Sequence, residues 1–268
     1  MKKIIIFLIL LIIGILLYAH FIETKNFKIT EHTIQANISE SFEGFKIIQF
    51  SDLLIGSTKT IEDLEQIVNE INNLKPDIIV FTGDLIKKDY DINDNDIEKI
   101  KELLKKLDCT LYKYATIGDN DQENYKEIMT DSDFIVLDNE SKYIFYKDLT
   151  PIKITGITDT SDIKKALTTT DDLDVSFNLV ITHQPDNIDE LVNYDVNLVL
   201  AGHSLLGQIR LPFIGGIIKK EGAKKYIDNY YEVNDTIMYV SSGLGIDNNY
   251  YFRLFNKPEI NLYRLSQK

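Results

Sequence analysis

The sequence predicts an α/β protein that carries an N-terminal transmembrane helix. An unbroken apolar run opens the chain, and from about residue 45 short apolar strands alternate with amphipathic helices. The length of 268 residues, 44% of them hydrophobic, is enough for one sizeable core, and no linker-like stretch or internal repeat divides it. We therefore expect a transmembrane anchor at 1–22, a lead-in segment at 23–44 and one folded domain at 45–268.

The N-terminal apolar run extends from Ile4 to Ala19 and follows two lysines. At a rise of 1.5 Å per residue, about 18 residues come close to spanning a hydrocarbon core of roughly 30 Å. A cleaved signal peptide is the alternative, but its apolar stretch is usually shorter and ends in small residues, whereas His20 and Phe21 follow here. We favour a single-pass anchor in the cell membrane, with the domain on the extracytoplasmic side because the lysines precede the span.

The charge balance argues against a nucleic-acid partner. Asp and Glu outnumber Lys and Arg by 42 to 29, which gives a formal net charge of −13. Proteins that bind nucleic acids neutralise phosphates with clustered basic residues, so we expect no such partner. Cys109 is the sole cysteine, which excludes an intrachain disulfide and a cysteine-based zinc site.

Strands and helices of the domain follow from the spacing of apolar residues. Apolar residues at helical spacing predict helices at 61–74 and 97–107, and Lys75-Pro76 ends the first of them. Residues 27–38 form an extended lead-in. The predicted strands are 45–50, 77–81, 111–117, 142–146, 152–157, 178–182, 196–201, 237–240 and 260–265.

Five of the predicted strands end at an Asp or a His, often beside a Gly. A Gly-Asp pair after a strand is a common turn, and a single His is often a satisfied core residue, but five such ends in one chain are harder to explain in this way. Open α/β sheets place ligand sites at the carboxyl ends of their strands. The five ends are Ser51-Asp52-Leu53-Leu54, Gly83-Asp84, Gly118-Asp119-Asn120-Asp121, Thr182-His183 and Gly202-His203-Ser204-Leu205.

This series resembles the motifs of the metallophosphoesterase, or calcineurin-like phosphoesterase, family: D-x-H, G-D, G-N-H-D, an isolated H and G-H-x-H. The resemblance runs from about residue 45 to the C-terminus, and the runs 207–212 and 255–260 are similar to its membrane-associated, YkuE-like bacterial branch. It implies a four-layer α/β/β/α sandwich. It also implies two divalent ions, bridged by a central Asp, that activate a water for in-line attack on phosphorus.

The resemblance implies an uneven metal site. Asp52 and the bridging Asp84 are the only residues that match the first ion's ligands, because Leu54 and Leu205 stand where the family has histidines. Asn120 stands where the family has the His that assists the leaving group, so no catalytic residue is assigned. The residues that match the second ion's ligands, with Asp in place of the family's Asn at 119, are Asp84, Asp119, His183 and His203.

The expected ligand set of Asp52, Asp84, Asp119, His183 and His203 suits Mn, Zn or Fe, and we expect one ion rather than two. A metal-free polar cluster held by hydrogen bonds is the alternative. Two functions remain open. One is a weak, single-metal phosphoester hydrolase that acts on a phosphoester or an envelope-derived small molecule. The other is a catalytically inactive relative that binds a ligand or partner.

Overall fold

The computed structural model describes residues 1–158, 160–168, 173–247 and 251–268, apart from the side chain of Asp162. Within these ranges the α-helices are α1 (Lys2–Phe21), α2 (Ile61–Leu74), α3 (Asp94–Lys105), α4 (Tyr125–Asp131), α5 (Ile163–Leu167) and α6 (Ile188–Leu191). Short 3-10 helices lie at Glu40–Phe42, Thr160–Asp162, Pro185–Asn187 and Leu205–Gly207.

The strands of the described chain are short, and most are buried. In chain order they are β1 (Lys28–Ala36), β2 (Lys46–Phe50), β3 (Ile78–Phe81), β4 (Tyr112–Ala115), β5 (Phe134–Val136), β6 (Glu140–Ile144), β7 (Ile152–Ile157), β8 (Phe177–Thr182), β9 (Leu198–Ala201), β10 (Arg210–Leu211), β11 (Gly215–Gly216), β12 (Tyr230–Val233), β13 (Thr236–Val240) and β14 (Glu259–Gln267). The predicted strands and helices all occur, with ends that differ by a few residues.

Helix α2 shows why the predicted boundaries hold. Its N-terminus has a capping box, in which the Thr60 side chain and the Asp63 side chain each bind the other residue's backbone N–H. Lys75 adopts a left-handed conformation at the C-terminus, and Pro76 cannot continue the helix. The buried face of the helix consists of Leu64, Ile67, Val68 and Ile71.

Two six-stranded sheets form the centre of the domain. The first has the order β1-β14-β2-β3-β4-β5 and the second β12-β13-β9-β8-β7-β6, while β10 and β11 form a separate hairpin. Apolar residues of both sheets make up the core between them. Helices α2, α3 and α4 cover the outer face of the first sheet, and α5 and α6 cover that of the second. The predicted four-layer α/β/β/α sandwich is confirmed.

The lead-in segment contributes a strand to the first sheet. Strand β1 pairs in parallel with β14 along its whole length, from Lys28 opposite Glu259 to Ala36 opposite Gln267. The sequence predicts a lead-in segment outside the folded domain, but the backbone hydrogen bonds of this segment belong to the first sheet. A pairing between segments so distant in the chain leaves no local pattern from which it could be predicted.

Helix α1 is the one helix among the described residues that is long and apolar enough to cross a membrane, a test that a signal sequence also passes. Its C-terminal end is bound to the domain. Arg253 N donates to Ala19 O at 3.2 Å, and Asn256 N donates to Glu23 Oε1 at 2.6 Å. The buried ammonium of Lys59 donates to two carbonyls of the segment that follows the helix.

Gln49 links the two sheets near the ends of their strands. Its side chain is fully buried, and Nε2 donates to Ala201 O at the end of β9 (2.9 Å) and to Thr82 Oγ1 (3.1 Å). Its Oε1 accepts a hydrogen bond from Tyr263 Oη at 2.8 Å. The side chain therefore satisfies polar groups that the packing of the sheets removes from water.

The substitution Gln49→Leu should lower the free energy of unfolding by about 1–3 kcal/mol, because it removes the acceptor of the buried Tyr263 hydroxyl and the donor to Thr82 Oγ1. Denaturant unfolding of the full chain in detergent micelles measures the change. The exposed Glu65→Ala on α2 serves as the control and should stay within about 0.5 kcal/mol of the parent. Equal stability of the two variants would contradict this role for Gln49.

Candidate metal centre

The carboxyl ends of five parallel strands meet at one edge of the sandwich. Asp52, Asp84 and Asp119 follow β2, β3 and β4, which are neighbours in the first sheet. His183 and His203 follow β8 and β9, which are neighbours in the second sheet. The fold therefore brings carboxylates from one sheet towards imidazoles from the other, as the strand-end rule predicts.

Asp84, His183 and His203 lie closest together, and we call them the central triad. One donor atom from each residue lies within 4.8 Å of the other two, and all three side chains are buried. His183 Nε2 lies 3.3 Å from Asp84 Oδ2 and 3.1 Å from His203 Nδ1. Both sheets thus contribute to one buried cluster of a carboxylate and two imidazoles.

Backbone carbonyls orient both imidazoles of the central triad. His183 Nδ1 lies 2.7 Å from Thr82 O, and His203 Nε2 lies 2.7 Å from Glu221 O. Because a carbonyl oxygen can only accept, these two ring nitrogens carry hydrogen. The opposite nitrogens, Nε2 of His183 and Nδ1 of His203, therefore face the centre. Metal-ligating histidines commonly use their second ring nitrogen in this way.

The donor separations fit a divalent ion. Ligands at about 2.0–2.1 Å from a tetrahedral ion lie about 3.4 Å from one another. Two of the three separations within the central triad, 3.1 and 3.3 Å, are close to this value, and the third, between Asp84 and His203, is at most 4.8 Å. Asp119 Oδ2 lies 3.4 Å from His203 Nδ1, but its side chain is half exposed, and its Oδ1 accepts from Gln184 Nε2. Asp119 is therefore beside the triad and contacts one of its members.

A hydrogen-bond network fixes Asp84. The backbone N–H and the side-chain amide of Asn120 donate to its two oxygens at 2.8 and 2.7 Å. The Asp121 carboxylate accepts from the backbone N–H groups of Asp84, Leu85 and Gly118. A Cβ at Gly118 would lie 2.3 Å from Asp84 Oδ1, so only glycine fits there. The loops after β3 and β4 thus hold the carboxylate in one position.

Asp52 is fully buried, and only one of its two carboxylate oxygens accepts hydrogen bonds from the described part of the chain. Its Oδ2 accepts from Ser51 Oγ at 2.5 Å and from the backbone N–H of His203 at 3.1 Å. Its Oδ1 has no hydrogen-bond partner among the residues that the structure describes. A buried oxygen without a partner is costly, so this atom marks a place where a proton or a cation would be stabilised.

Leu54 and Leu205 lie on the Asp52 side of the centre, and both are fully buried. A Cβ placed on Gly243 would lie 2.4 Å from Leu205 Cδ2 and 2.8 Å from Asp52 Cβ. A Cβ on the nearby Gly245 would lie 2.7 Å from Leu54 Cβ. The two leucines therefore place apolar surface against the same turn that borders Asp52.

The loops of the centre hold unusual backbone conformations. Left-handed conformations are uncommon outside glycine and are true outliers for bulky residues such as leucine. Strain of this kind concentrates at functional sites. The positions concerned, with positive φ angles between 45° and 64°, are Asp52, Leu54, Asp84, His203 and Leu205. The two leucines therefore have the same left-handed backbone conformation as the three donor residues.

Electrostatics favour a charged pair in the central triad. Burial by itself would lower the pKa of His183 and raise that of Asp84, but the attraction between them outweighs it. The pKa of His183 rises to about 10 and that of Asp84 falls below its ordinary value. Burial, with the positive charges of His183 and Lys220, lowers the pKa of His203. Burial also raises the pKa of Asp52 to about 6.

Two residues at the edge of the centre, Lys220 and Gln184, are not among the residues predicted from the sequence. Lys220 Nζ donates to His203 O at 3.2 Å and forms an ion pair with Asp247, so its ammonium lies at the rim of the centre. Gln184 binds Asp119. Lys220 belongs to no motif, and only the return of the chain after the β10–β11 hairpin brings it to His203. Gln184 directly follows a motif histidine, and that adjacency was the one available signal.

Comparison with known proteins agrees with the sandwich and with the motifs. The sequence model of the calcineurin-like phosphoesterase family matches residues 45–206. The metallophosphoesterase YkuE of Bacillus subtilis (strain 168) is 35% identical over 92% of this chain and 88% of its own length. This relative confirms the resemblance to the YkuE-like branch.

Two further relatives bear on the membrane and on phosphate chemistry. A transmembrane protein with a metallophosphoesterase domain from Danio rerio is 26% identical over 86% of this chain, which spans 55% of that relative. The UDP-2,3-diacylglucosamine pyrophosphatase LpxG of Chlamydia muridarum (strain MoPn / Nigg) is 25% identical over 82% of this chain and 83% of its own length. On the family match and the identity to YkuE, the chain belongs to the calcineurin-like phosphoesterase family.

Proposed function

We propose that this chain binds one divalent ion at the central triad and hydrolyses phosphoesters weakly there. The observation that carries the proposal is the convergence of Asp84, His183 and His203 at separations that suit ligands of one ion. A rotation of the exposed Asp119 side chain, which already lies 3.4 Å from His203, would complete the set. Two carboxylates and two imidazoles suit Mn, Zn or Fe.

The surroundings of Asp52 support one ion rather than two. A second ion on that side would find the carboxylates of Asp52 and Asp84, but the neighbouring Leu54 and Leu205 offer no lone pair. Two carboxylates alone are a sparse ligand set for a transition metal. Burial raises the pKa of Asp52 to about 6, so protonation stabilises its unpartnered Oδ1 mainly below that pH.

A bound ion supplies Lewis-acid stabilisation of phosphoryl oxygens and a water of lowered pKa. Asp84 and the two imidazoles would hold the ion, and Lys220, which is paired with Asp247, donates to the His203 carbonyl at the rim. Asn120 donates to Asp84 and cannot release a proton at neutral pH. General-acid assistance, worth about 10²–10⁴-fold, is therefore missing at that position, and turnover should be low.

The second candidate function is ligand or partner binding without turnover. It is favoured by the contacts of Asn120, whose backbone N–H and side-chain amide both donate to Asp84, and by the leucines beside Asp52. These features would stabilise a buried polar cluster that has no catalytic activity. The measurements below separate the two candidates.

The membrane part of the proposal rests on α1. We infer that α1 spans the cell membrane, with the lysines at its start on the cytoplasmic side and the domain on the extracytoplasmic side. The transmembrane relative from Danio rerio supports the anchoring. The relative named as a UDP-2,3-diacylglucosamine pyrophosphatase supports a phosphoester or related envelope-derived small molecule as substrate.

Full chain in detergent, incubated with Mn²⁺ or Zn²⁺ and desalted, should retain about one equivalent of metal by elemental analysis. His183→Ala and His203→Ala should each lose the ion, because they remove a donor of the central triad. His32→Gln, which changes a histidine outside the triad, should keep it. A parent chain that retains no metal would favour the metal-free polar cluster, and two equivalents would contradict the proposed role of the leucines.

Metal binding should release a proton. Because the pKa of His183 is raised to about 10 without an ion, its imidazole is charged at neutral pH and must lose a proton to ligate. Apparent affinity should therefore rise with pH, by about tenfold per unit for one proton, and level off near pH 10. Isothermal titration calorimetry in buffers of different ionisation enthalpy counts the released protons. An affinity that does not change with pH would contradict the release of a proton from His183 on ligation.

The Mn²⁺-loaded chain should hydrolyse an aryl phosphodiester slowly, and His203→Ala should abolish the activity. A triple variant, Leu54→His/Asn120→His/Leu205→His, should bind a second ion and gain about 10²–10⁴-fold or more in rate, because it restores donors and a general acid. A parent chain that binds metal but shows no hydrolysis would favour the binding function. A folded triple variant with only one ion would contradict the assignment of positions 54 and 205.

A further inference from the structure

The hairpin of β10 and β11 presents apolar side chains to solvent. At its turn, Phe213 is fully exposed and Ile214 is 73% exposed, and we call these two residues the apolar tip. Ile217, just after the hairpin, is also exposed. Adjacent large apolar side chains that are mostly exposed commonly mark a surface that binds a partner or a membrane.

Backbone hydrogen bonds connect this hairpin to the end of α1. Arg253 N donates to Ala19 O in the last turn of α1, and Arg210 N, in β10, donates to Leu254 O. Two consecutive residues of one segment therefore bind the helix on one side and the hairpin on the other. A crevice of about 520 Å³ separates the two elements, and its lining includes Tyr18, Leu206, Arg210, Phe255 and Lys257.

The apolar tip lies within reach of the plane in which α1 ends. Phe213 follows Arg210 by three residues, which extend over about 10 Å at most, so the path through these hydrogen bonds places the tip within about 27 Å of Ala19. Tyr18 and His20, at the end of the apolar run, are the kind of side chains found at a membrane–water interface. Phe21, Ile22 and Phe255 are also exposed near this junction.

We propose that the apolar tip and Phe255 contact the same bilayer that α1 spans, which gives the domain a second membrane contact. The proposal rests on the anchoring proposed above. Two exposed lysines, Lys257 in the lining of the crevice and Lys25 in the segment after α1, add positive charge on this face of a protein whose net charge is −13, whereas Lys28 is paired with Glu259. Such residues are attracted to anionic lipid headgroups. The occupant of this surface is thus a lipid bilayer that contains anionic lipid.

The proposed contact is also connected to the metal centre. The hairpin begins a few residues after His203, and the chain that leaves it returns to that histidine, because Lys220 Nζ donates to His203 O and Glu221 O accepts from His203 Nε2. Glu221 lies seven residues beyond Ile214, at most about 25 Å along the chain. Insertion of the tip would therefore fix the height of the centre above the lipid surface.

The chain has no tryptophan, so a single introduced Trp reports its own surroundings. Full-length Phe213→Trp is placed in nanodiscs of phosphatidylcholine and phosphatidylglycerol, with and without lipid brominated near the glycerol. We expect blue-shifted emission, quenching by the brominated lipid and protection from acrylamide. Ile214→Trp repeats the measurement should the first variant fold poorly.

Two control variants make the result specific. Leu149→Trp replaces an 89% exposed residue next to Asp148, which binds Ser39 beyond the far end of β1. Its emission should remain that of an exposed Trp, with full quenching by acrylamide and none by brominated lipid. Phe7→Trp, within α1, should be shielded from acrylamide and quenched by lipid brominated along its acyl chains if α1 spans the bilayer.

The outcomes distinguish this inference from the anchoring on which it rests. Shielding of Phe7→Trp with an exposed Phe213→Trp would overturn the second contact and leave the anchor in place. Exposure of Phe7→Trp would overturn both. A Phe213→Trp emission that is blue-shifted but not quenched by brominated lipid would overturn the lipid contact in favour of a contact between proteins.

Discussion

The centre depends on one buried contact, the approach of Asp84 from the first sheet to His183 from the second at 3.3 Å. Removing two charges from water costs several kcal/mol for each ion, so such a pair persists only where other groups satisfy it. Asn120 donates twice to the carboxylate, and Thr82 O holds the other side of the imidazole. The charged pair therefore depends on the packing of the two sheets, because this packing brings the ends of β3 and β8 together.

Much of this arrangement follows from local pattern in the sequence. Short apolar strands that end at Asp or His predicted a ligand site at the strand ends, because parallel strands carry their end residues to a common edge. The four-layer sandwich and the grouping of Asp84 with His183 and His203 were implied by the resemblance of these motifs to the family. The orientation of the Asp119 side chain towards Gln184 could not be predicted. An exposed side chain can adopt several rotamers, and its hydrogen-bond partner here is a residue that only the folded structure brings near it. The same holds for Lys220 and for the pairing of β1 with β14, which join segments far apart in the chain.

At Leu54 and Leu205 the backbone has the conformation found at the donor residues, but the side chain has no donor atom. Leu54 and Leu205 adopt the left-handed conformations that Asp52, Asp84 and His203 also adopt, although leucine gains nothing from them. Strain of this kind costs of order 1–3 kcal/mol per residue and persists only where the surroundings determine it. The turn at Gly243 and Gly245 packs against both leucines and supplies that constraint. The shape of the loops is thus set by packing around them, and their chemistry by the side chains they carry.

The attachment of α1 to the domain has a consequence for how molecules would reach the centre. The segment between α1 and β1 is short, and hydrogen bonds of Glu23 and Lys59 hold it against the domain. These contacts restrict the rotation of the domain relative to α1. With α1 in a bilayer, the edge that carries Asp84 and the histidines would diffuse laterally with the helix. It would stay within a thin layer of solvent at a fixed distance from the lipid. Molecules confined to that layer would meet it by diffusion in two dimensions, whereas freely dissolved ones would have to arrive from the bulk.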